Sequence, residues 1–429
     1  MKELNINVHH VTRVEGHGNI TVNARNGKLE EIIWSIPESP RFFEAMFRGR
    51  SYEDVTWMTP RICGICSIAH STASIQATEA AFGVEISEQT LLLRKLLFHA
   101  ETLQSHVLHF YFLAAPDFLG VGSVFPLVDT HTEVVLRALR LKKLANDLAD
   151  LIGGRKTHPL TCVVGGFAKL PEVSELKAMR QKLVQAMDDM QETVKLFKGL
   201  EIPNFTRETE YIALKDPKEY AFINGDIAST DTGSTSINSY LDITNEFCVP
   251  HSTAKFSKHN RDSYMVGALA RFNNNARQLS PAAQKAAEEL GLKAICHNPY
   301  MISIAQIVET IHVIEDAINL IDKLTVRGLR GEKPPVKVRA GRGIGAVEAP
   351  RGILFHDYTY DDKGILVNAN CVIPTNQNHN NIQKDMETLV PEIIDQSQEE
   401  ITLRLEMLVR AYDPCISCST HFLKVKFTQ

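Results

Sequence analysis

Several features that mark common protein classes are missing from this sequence. Its 429 residues contain no run of the ~18–20 apolar residues that a membrane-spanning helix needs. Basic residues are dispersed and the formal net charge is −5, so nothing indicates a nucleic-acid-binding face. Low-complexity linkers, long charge runs and internal repeats are also missing. The sequence therefore predicts one large folded body over residues 1–429.

A secretory leader is not visible either. The first residues, Met1-Lys-Glu-Leu-Asn, offer neither a cationic region with an apolar core behind it nor a twin arginine. Eight cysteines in a chain of this length do not form the dense pattern of a secreted disulfide framework, and four of them stand alone, at positions 162, 248, 296 and 371. We therefore expect a protein of the reducing cytoplasm.

The other four cysteines form two pairs near opposite ends of the chain. Residues 63–66 read Cys-Gly-Ile-Cys, and residues 415–418 read Cys-Ile-Ser-Cys. Two intervening residues let both sulfurs of a pair face one ion, so two pairs can close a four-sulfur metal site. The gap between the pairs is 415 − 66 = 349 positions, whereas zinc ribbons place the second pair roughly 15–20 residues after the first. If the two pairs form one site, a large fold must bring both ends of the chain to its centre.

Helical patterns dominate the chain. They predict helices over residues 70–81, 87–115, 121–152, 172–200 and 302–324, the second of which is apolar on nearly all sides. Alternating residues and turn signals predict a β-rich entry segment, residues 1–60, and a β-hairpin region, residues 340–378. The sequence thus predicts a mainly α fold with small peripheral β elements.

The residues alone leave the metal and its role open. Four thiolates suit zinc, iron or nickel. On the residues alone, a structural zinc site and a pair of unrelated redox dithiols are together about as well supported as a catalytic metal site. Three histidines on or near the second helix, His99, His106 and His109, are expected to be hydrogen-bonded core residues, because no carboxylate or thiol stands at ligand spacing from them.

Further motifs accompany the cysteine pairs. They are Arg13-Val-Glu15-Gly-His17, Phe43-Glu44, Arg48-Gly-Arg50, Ser105-His106, Gly165-Gly166-Phe167, Glu348-Ala-Pro350-Arg351-Gly352 and Val372-Ile-Pro374-Thr375. Together with the segments RxCGxCxxxH and DPCxxCxxH, this ordered set resembles the large, catalytic subunit of nickel–iron hydrogenases over most of the chain. The resemblance is closest to the soluble, cytoplasmic branch, which couples hydrogen to a carrier such as NAD(P) or ferredoxin. It implies the large-subunit fold, in which long buried helices surround a central metal site.

For the cysteines, the resemblance implies a nickel bound by all four sulfurs. Cys66 and Cys418 would bridge to an iron that carries carbon monoxide and cyanide, and Cys63 and Cys415 would be terminal ligands. Glu15 would relay protons from a nickel-bound cysteine. The implied activity is the reversible, heterolytic cleavage of H2.

The resemblance also assigns residues around the diatomic ligands. Arg351, which follows Pro350, would place its guanidinium over these ligands. Asp117 and Asp413 would anchor that arginine, since a buried charge without a partner is costly.

Near the C-terminus, the resemblance implies two further contacts. Thr375, which follows Pro374, would hydrogen-bond a cyanide. Glu44 and His421, with a backbone carbonyl near Cys371, would hold a magnesium or iron ion that fixes the end of the chain. Residues 422–429 stand where members of this family carry a removable tail.

Electrons taken from H2 must leave the protein, and this chain has too few clustered cysteines for an iron–sulfur relay. The resemblance therefore implies an iron–sulfur small subunit, together with further electron-transfer subunits that carry flavin or iron–sulfur groups. Two other interpretations remain. A subunit related to respiratory complex I shares the fold but lacks the thiolates, so the four cysteines argue against it, and a non-catalytic zinc scaffold is the other.

Overall fold

Helices make up most of the regular structure in the computed structural model, which describes residues 3–332 and 335–420. The helices are α1 (Phe43–Phe47), α2 (Tyr52–Met58), α3 (Ser67–Phe82), α4 (Glu88–Val107), α5 (Ala115–Phe118), α6 (Leu127–Thr130), α7 (Thr132–Gly153), α8 (Val173–Lys198), α9 (Tyr240–Thr244), α10 (Ala268–Asn275), α11 (Pro281–Glu289), α12 (Ile302–Arg327), α13 (Pro374–Ile393), α14 (Gln398–Ala411) and α15 (Ile416–Ser419). The strands are β1 (Glu3–Val8), β2 (Asn19–Arg25), β3 (Lys28–Ser35), β4 (Cys162–Val163), β5 (Gly166–Phe167), β6 (Glu210–Lys215), β7 (Asp226–Ser229), β8 (Gly233–Thr235), β9 (Tyr264–Met265), β10 (Gly341–Ala349), β11 (Gly352–Tyr360) and β12 (Leu366–Val372). The mainly α prediction is confirmed.

Capping residues that the sequence indicates mark several of the helix ends. The Ser87 hydroxyl caps α4 by accepting the N–H of Thr90, and Gly83 ends α3 in the left-handed conformation, with φ 68°. Glu172 and Glu175 form a capping box at the start of α8. α12 packs against α4 and α8, and α4 packs against α7, so the apolar faces of these helices form much of the core.

The helix predicted over residues 87–115 does not break before Pro116. α4 passes into a π-helical segment, Leu108–Ala114, and then into α5, which has Pro116 in its first turn. Proline is tolerated in a first turn because its missing N–H is not needed there. The helical path therefore continues and carries Asp117 into a buried position.

The helix predicted over residues 121–152 begins later than expected. Residues 121–126 are irregular, α6 is one turn long, and the long helix α7 starts only at Thr132. Gly122 and Pro126 explain the delay, because glycine and proline are the weakest helix formers. Gly154 then ends α7 in the left-handed conformation, as the Gly-Gly pair indicates.

The first sheet is antiparallel, in the order β1-β2-β3. Asn26 and Gly27 connect β2 to β3 with positive φ at both residues, which a two-residue type I′ hairpin turn requires. The pairing of β1 with β2 was not predicted. The β-rich segment ends at Ser35 and not at residue 60, because α1 and α2 follow it.

The sheet β10-β11-β12 is also antiparallel. Its third strand ends at Val372, and α13 starts at Pro374, inside the predicted hairpin region. Residues 343–358 are all buried, because α3, β6 and α13 pack against this sheet. β10 and β11 therefore lie inside the protein, whereas the sequence predicts peripheral β elements. The remaining strands form a pair, β4-β5, and a four-stranded sheet, β8-β7-β6-β9.

A close contact between α3 and β10 fixes the interior. Gly341, Gly343 and Gly345 lie against the backbone of α3 at Ala81, Ala77 and Ala73, respectively, and a Cβ at any of these glycines would overlap a carbonyl of α3. Only glycine permits so close an approach. Because Cys66 stands at the N-cap of α3 and Arg351 lies two residues after the end of β10, this contact sets the relation between two parts of the candidate site.

Within the described ranges, every helix is too short or too polar to cross a membrane.

Candidate metal centre

The two cysteine pairs meet in the interior. Cys63 and Cys66 directly precede α3, and Cys415 and Cys418 lie at α15. The four sulfurs are buried and lie within 4.8 Å of one another. Across the pairs, the sulfurs of Cys63 and Cys415 are 3.3 Å apart and those of Cys66 and Cys418 are 3.9 Å apart. The predicted convergence of the four sulfurs is therefore confirmed.

The electrostatics of this cluster favour a bound cation. Hydrogen bonds from the neighbouring sulfurs, above all from Cys415, lower the pKa of Cys63 well below that of a free thiol. The hydrogen bond with Cys418, followed by those with Cys63 and Cys66, raises the pKa of Cys415 well above it, and the pKa of Cys418 is raised chiefly by burial. The thiolate of Cys63 is thus stabilised by S–H groups of its neighbours, whereas deprotonation of Cys415 and Cys418 is unfavourable. Four thiolates at this spacing need a positive ion, so the donor set fits a soft transition metal.

The first pair is held by the start of α3. The Cys63 sulfur accepts N–H groups from Ile65 at 3.3 Å and from Cys66 at 3.2 Å. One turn further, the Glu101 carboxylate on α4 accepts the N–H groups of Ile68 at 2.5 Å and Ala69 at 3.0 Å. Helix N-termini leave such donors unpaired and favour a negative group there.

Glu101 is a site residue that the sequence reasoning missed. Its carboxyl is buried, and this burial raises its pKa well above the ordinary value, although the two N–H donors act in the opposite direction. The one available signal was a carboxylate in the middle of a helix that is apolar on nearly all sides, since such a group needs a buried partner.

The second pair is held by segments that are distant in sequence. Thr375, next to Pro374 in the first turn of α13, accepts the Cys415 N–H on its hydroxyl oxygen at 3.0 Å. The backbone oxygen of Glu15 accepts the Ile416 N–H at 2.9 Å. The Glu15 carboxylate accepts both the N–H of Ser417, at 3.1 Å, and its hydroxyl. The structure thus brings Glu15 and Thr375, both predicted site residues, to the second cysteine pair.

Arg351 lies with Pro350 between β10 and β11 and is buried. Its Nη2 donates to Oδ1 of Asp413 at 2.7 Å, its Nε to the Asp413 carbonyl at 2.5 Å, and its Nη1 to the Ser105 hydroxyl at 3.4 Å. Burial acts to lower the pKa of Arg351, but Asp413 and the cysteine sulfurs raise it above its ordinary value. A permanent positive charge therefore stands beside the sulfur cluster, with Asp413 as its anchor.

Asp117 does not anchor Arg351, contrary to the expectation. Both oxygens of its carboxylate accept hydrogen bonds from Arg410, at 2.7 and 2.8 Å, and Oδ1 also pairs with Arg13. Arg410 on α14 and Arg13, two residues before Glu15, both bind the carboxylate because Asp117 on α5 lies beside them. Asp117 therefore joins the segments that carry Glu15 and Asp413, and it contacts neither Arg351 nor a cysteine.

The implied C-terminal ion site is described only in part. Oε1 of Glu44 accepts the Cys371 N–H at 2.7 Å, so these two residues are neighbours as expected. His421 and the tail, residues 422–429, lie outside the described residues. Among the residues that the structure describes, the four cysteines are the one group whose side chains can jointly hold a metal.

The three helix histidines are hydrogen-bonded core residues, as expected. A ring nitrogen of His99 lies 2.7 Å from Asp316, one of His106 lies 2.8 Å from Glu309, and one of His109 lies 2.5 Å from Gln306.

Comparisons with known proteins agree with this geometry. A family model described as nickel-dependent hydrogenase matches residues 41–134 and 251–421, and a second model, described as HoxL-like, matches residues 5–36. The alpha subunit of sulfhydrogenase 1 from Pyrococcus furiosus is 34% identical over 98% of this chain and 99% of its own length. The vhc F420-non-reducing hydrogenase of Methanococcus voltae has a subunit that is 32% identical over 97% of this chain and 94% of its own length.

Solved structures share the fold along nearly the whole chain. An NAD+-reducing [NiFe]-hydrogenase in its H2-reduced state has a TM-score of 0.86 at 25% identity, covering 97% of this chain and 99% of that one. A [NiFeSe]-hydrogenase from Dm. baculatum has a TM-score of 0.78, covering 98% of this chain and 100% of that one, and supports the fold alone. The family model, the full-length relatives and the convergent cysteine pairs lead to one conclusion: the chain belongs to the nickel-dependent hydrogenase family, among its large subunits.

Proposed function

We propose that this chain is the catalytic subunit of an enzyme that cleaves H2 reversibly into two protons and two electrons. The observation that carries the proposal is the convergence of four buried cysteine sulfurs in a chain of this family. When bound, a nickel–iron group supplies the open coordination position at which H2 is split, and its iron carries carbon monoxide and cyanide.

The cysteines hold this group, and we assign them by motif position. By this assignment, Cys66 and Cys418 would hold both metals, and Cys63 and Cys415 would hold the nickel. Burial of all four sulfurs excludes water from the site.

Glu15 is the proton acceptor in this proposal. Its carboxylate accepts hydrogen bonds from Ser417, the residue directly before Cys418, so it stands at the edge of the sulfur cluster. A carboxylate there can take a proton as the charge on a neighbouring sulfur changes.

Arg351 supplies fixed positive charge. It is oriented by Asp413, and with Pro350 and Thr375 it would form the wall beside the diatomic ligands of a bound group. Preorganised charge of this kind needs no rearrangement during the reaction. Asp117 supports the wall indirectly, through Arg13 and Arg410.

The electrons pass to an iron–sulfur small subunit, from which further flavin or iron–sulfur subunits carry them to a soluble acceptor such as NAD(P) or ferredoxin. The names of the relatives as subunits and the fold of the NAD+-reducing structure support this assembly. We place the complex in the cytoplasm. We further propose that Glu44, the Cys371 carbonyl and His421 bind magnesium or iron, as the Glu44–Cys371 contact supports.

Elemental analysis of this subunit, separated from its iron–sulfur partners, together with an assay of H2-dependent dye reduction by the intact complex, tests the function. Nickel and iron near one each in this subunit, with H2 oxidation, support the proposal. Zinc alone would indicate a scaffold, and a subunit without metal would indicate a relative of the complex I type. The intact mass of the active subunit shows separately whether residues 422–429 are removed.

A further inference from the structure

A second buried charge cluster lies behind Arg351. Arg271 on α10 forms a bidentate ion pair with Glu309 on α12, with N–O distances of 2.6 and 2.7 Å. Its Nη1 also donates to Glu348 at 2.9 Å. All three side chains are buried. Replacing such a cluster by apolar residues is often neutral or stabilising, so stability alone does not explain it.

The same guanidinium holds the backbone that leads to Arg351. Nη1 of Arg271 donates to the carbonyl of Ala349 and Nη2 to the carbonyl of Pro350, each at 3.0 Å. These are the two residues directly before Arg351. Gly267, at the start of α10, lies against the Arg351 carbonyl, since a Cβ there would stand 3.0 Å from that oxygen. The main chain at Arg351 is therefore held on both sides by α10, and Glu309 fixes the orientation of the Arg271 side chain.

Gln306 reaches the other end of Arg351. It lies three residues before Glu309 on α12, so both side chains project from one face of that helix. Its Nε2 donates to Oδ2 of Asp413 at 3.3 Å, while Oδ1 of Asp413 accepts from Arg351 at 2.7 Å. Its Oε1 contacts His109. Gln306 thus orients the carboxylate that orients the Arg351 guanidinium.

We propose that α12 positions Arg351 for catalysis, with Glu309 fixing its backbone through Arg271 and Gln306 fixing its guanidinium through Asp413. Neither residue contacts a cysteine sulfur in the described structure, so both are positioning residues. The proposal rests on the proposed function, because it concerns the part that Arg351 takes in H2 cleavage.

A double-mutant cycle in the holoenzyme complex tests this coupling. Glu309→Gln keeps the volume of the side chain but removes its charge, and we expect H2 oxidation per nickel to fall about 10- to 100-fold, because small misplacements of a catalytic group cost such factors. In the Arg351→Lys background, Glu309→Gln should cause less than about a threefold further loss, since coupled residues are non-additive. Losses that multiply, or full activity per nickel in Glu309→Gln, would overturn the proposal. If Glu309→Gln does not fold, Gln306→Leu takes its place in the cycle, with the same expected results.

A crystal structure of the Glu309→Gln complex gives a readout that does not depend on activity. We expect the main chain at Ala349 and Pro350, and with it Arg351, to shift away from Arg271, whereas an unchanged main chain would refute the proposal. This measurement remains decisive even if the wild-type complex contains no nickel, an outcome that would defeat the proposed function alone.

Glu79→Gln is the matched control. Glu79 forms a bidentate, buried ion pair with Arg94, at 2.6 and 2.8 Å, and accepts the Gly165 N–H. The variant removes the same charge from a similar pair that has no contact with Arg351 in the described structure. We expect lower thermal stability with activity per nickel unchanged, and a matching loss of activity in this control would assign the effect of Glu309 to stability.

Discussion

The two cysteine pairs have the same spacing but are held in different ways. The first pair stands at the start of a 16-residue helix, α3, whose first N–H groups are paired by Glu101, about one helix away in sequence. The second pair lies on a helix of four residues, α15, and its N–H groups are paired by Glu15 and Thr375. Glu15 and Ser417 are 402 positions apart, whereas Glu101 and Ile68 are 33 apart. One half of the site is therefore supported by its neighbours in sequence, and the other half by the completed fold.

This difference has a physical consequence. A long helix with a paired N-terminus gains stability from its own hydrogen bonds and its packing, so it can hold the first pair before the rest of the chain is in place. A four-residue helix is too short to be stable without tertiary contacts. The second pair should therefore respond more strongly than the first when a single supporting contact is removed.

Removing one sulfur should have the largest effect and should not distinguish the two pairs. We expect Cys63→Ser and Cys415→Ser each to abolish both nickel binding and H2 oxidation, because a hydroxyl is a poor ligand for a soft metal. Nickel content by elemental analysis, with the H2 assay, checks this prediction. Cys248→Ser, at an exposed cysteine, is the control and should retain both properties. Full nickel content in either pair variant would show that the four sulfurs do not act as one site.

Glu15→Gln should separate proton transfer from support of the second pair. The amide keeps an oxygen that can accept from Ser417, but it cannot take up a proton near neutral pH. We therefore expect H2 oxidation to be lost with the metal content intact. Glu38→Gln serves as the control, since Glu38 accepts the N–H of His17 nearby and has no contact with the cysteine pairs in the described structure. Loss of nickel in Glu15→Gln would mean that Glu15 mainly supports the segment, and normal turnover would mean that protons leave by another residue.

Arg351→Lys should weaken the link between the two halves. Arg351 donates to Asp413, just before the second pair, and to Ser105 on α4, the helix that supports the first pair. Lysine keeps the charge but not the planar group, so it cannot make these contacts together. We expect activity per nickel to fall by about 100-fold or more, as for loss of a preorganised donor, with little change in melting temperature. Activity near that of the wild type in a fully metallated variant would show that the planar group has no catalytic role.

Thr375→Val should have the smallest effect and tests the comparison directly. The substitution keeps the shape but leaves the buried Cys415 N–H without its acceptor. Such a loss costs about 1–3 kcal/mol, so the free energy of unfolding should fall by this amount, and a chelator should remove nickel faster. Thr388→Val, on the same helix but with a hydroxyl that bonds only its own helix, should change neither quantity. If Thr375→Val has no effect on nickel release, the second pair does not depend on this single contact.

The parts of the structure that depend on local signals could be predicted from the sequence. Ser87 begins α4 and Gly83 ends α3, as capping residues do, and Asn26-Gly27 makes the expected hairpin turn. The convergence of the cysteine pairs was predicted from two features together, the spacing within each pair, which can present two sulfurs to one ion, and the order of motifs that resembles the hydrogenase family.

The features that were not predicted correctly are contacts between segments that only the three-dimensional fold brings together. Asp117 had several arginines available, and only the path through the π-helical segment decides that it pairs with Arg13 and Arg410. Glu101 serves the first turn of α3, a contact that no local pattern marks. The interior position of β10 and β11 depends on what packs against them, and strands buried on both faces lack the alternation that reveals a face.

The contact of β10 with α3 fixes how far α3 lies along the strand, because a row of glycines on β10 must match a row of alanines on α3. Its glycines are two residues apart on a strand, about 6.6–6.8 Å, and its alanines are four residues apart on a helix, about 6.0 Å, so the two rows stay in step for only a few contacts. If α3 moved along β10 by the distance between two successive alanines, Cys66 would lie about 6 Å farther from the other sulfurs. Smaller movements are blocked because the backbone of α3 fits closely against the glycines of β10. One residue inserted between Cys66 and Ala73 would turn the alanine row by about 100° away from the glycines. The first cysteine pair therefore tolerates changes of residue type along α3 far better than any change in its length.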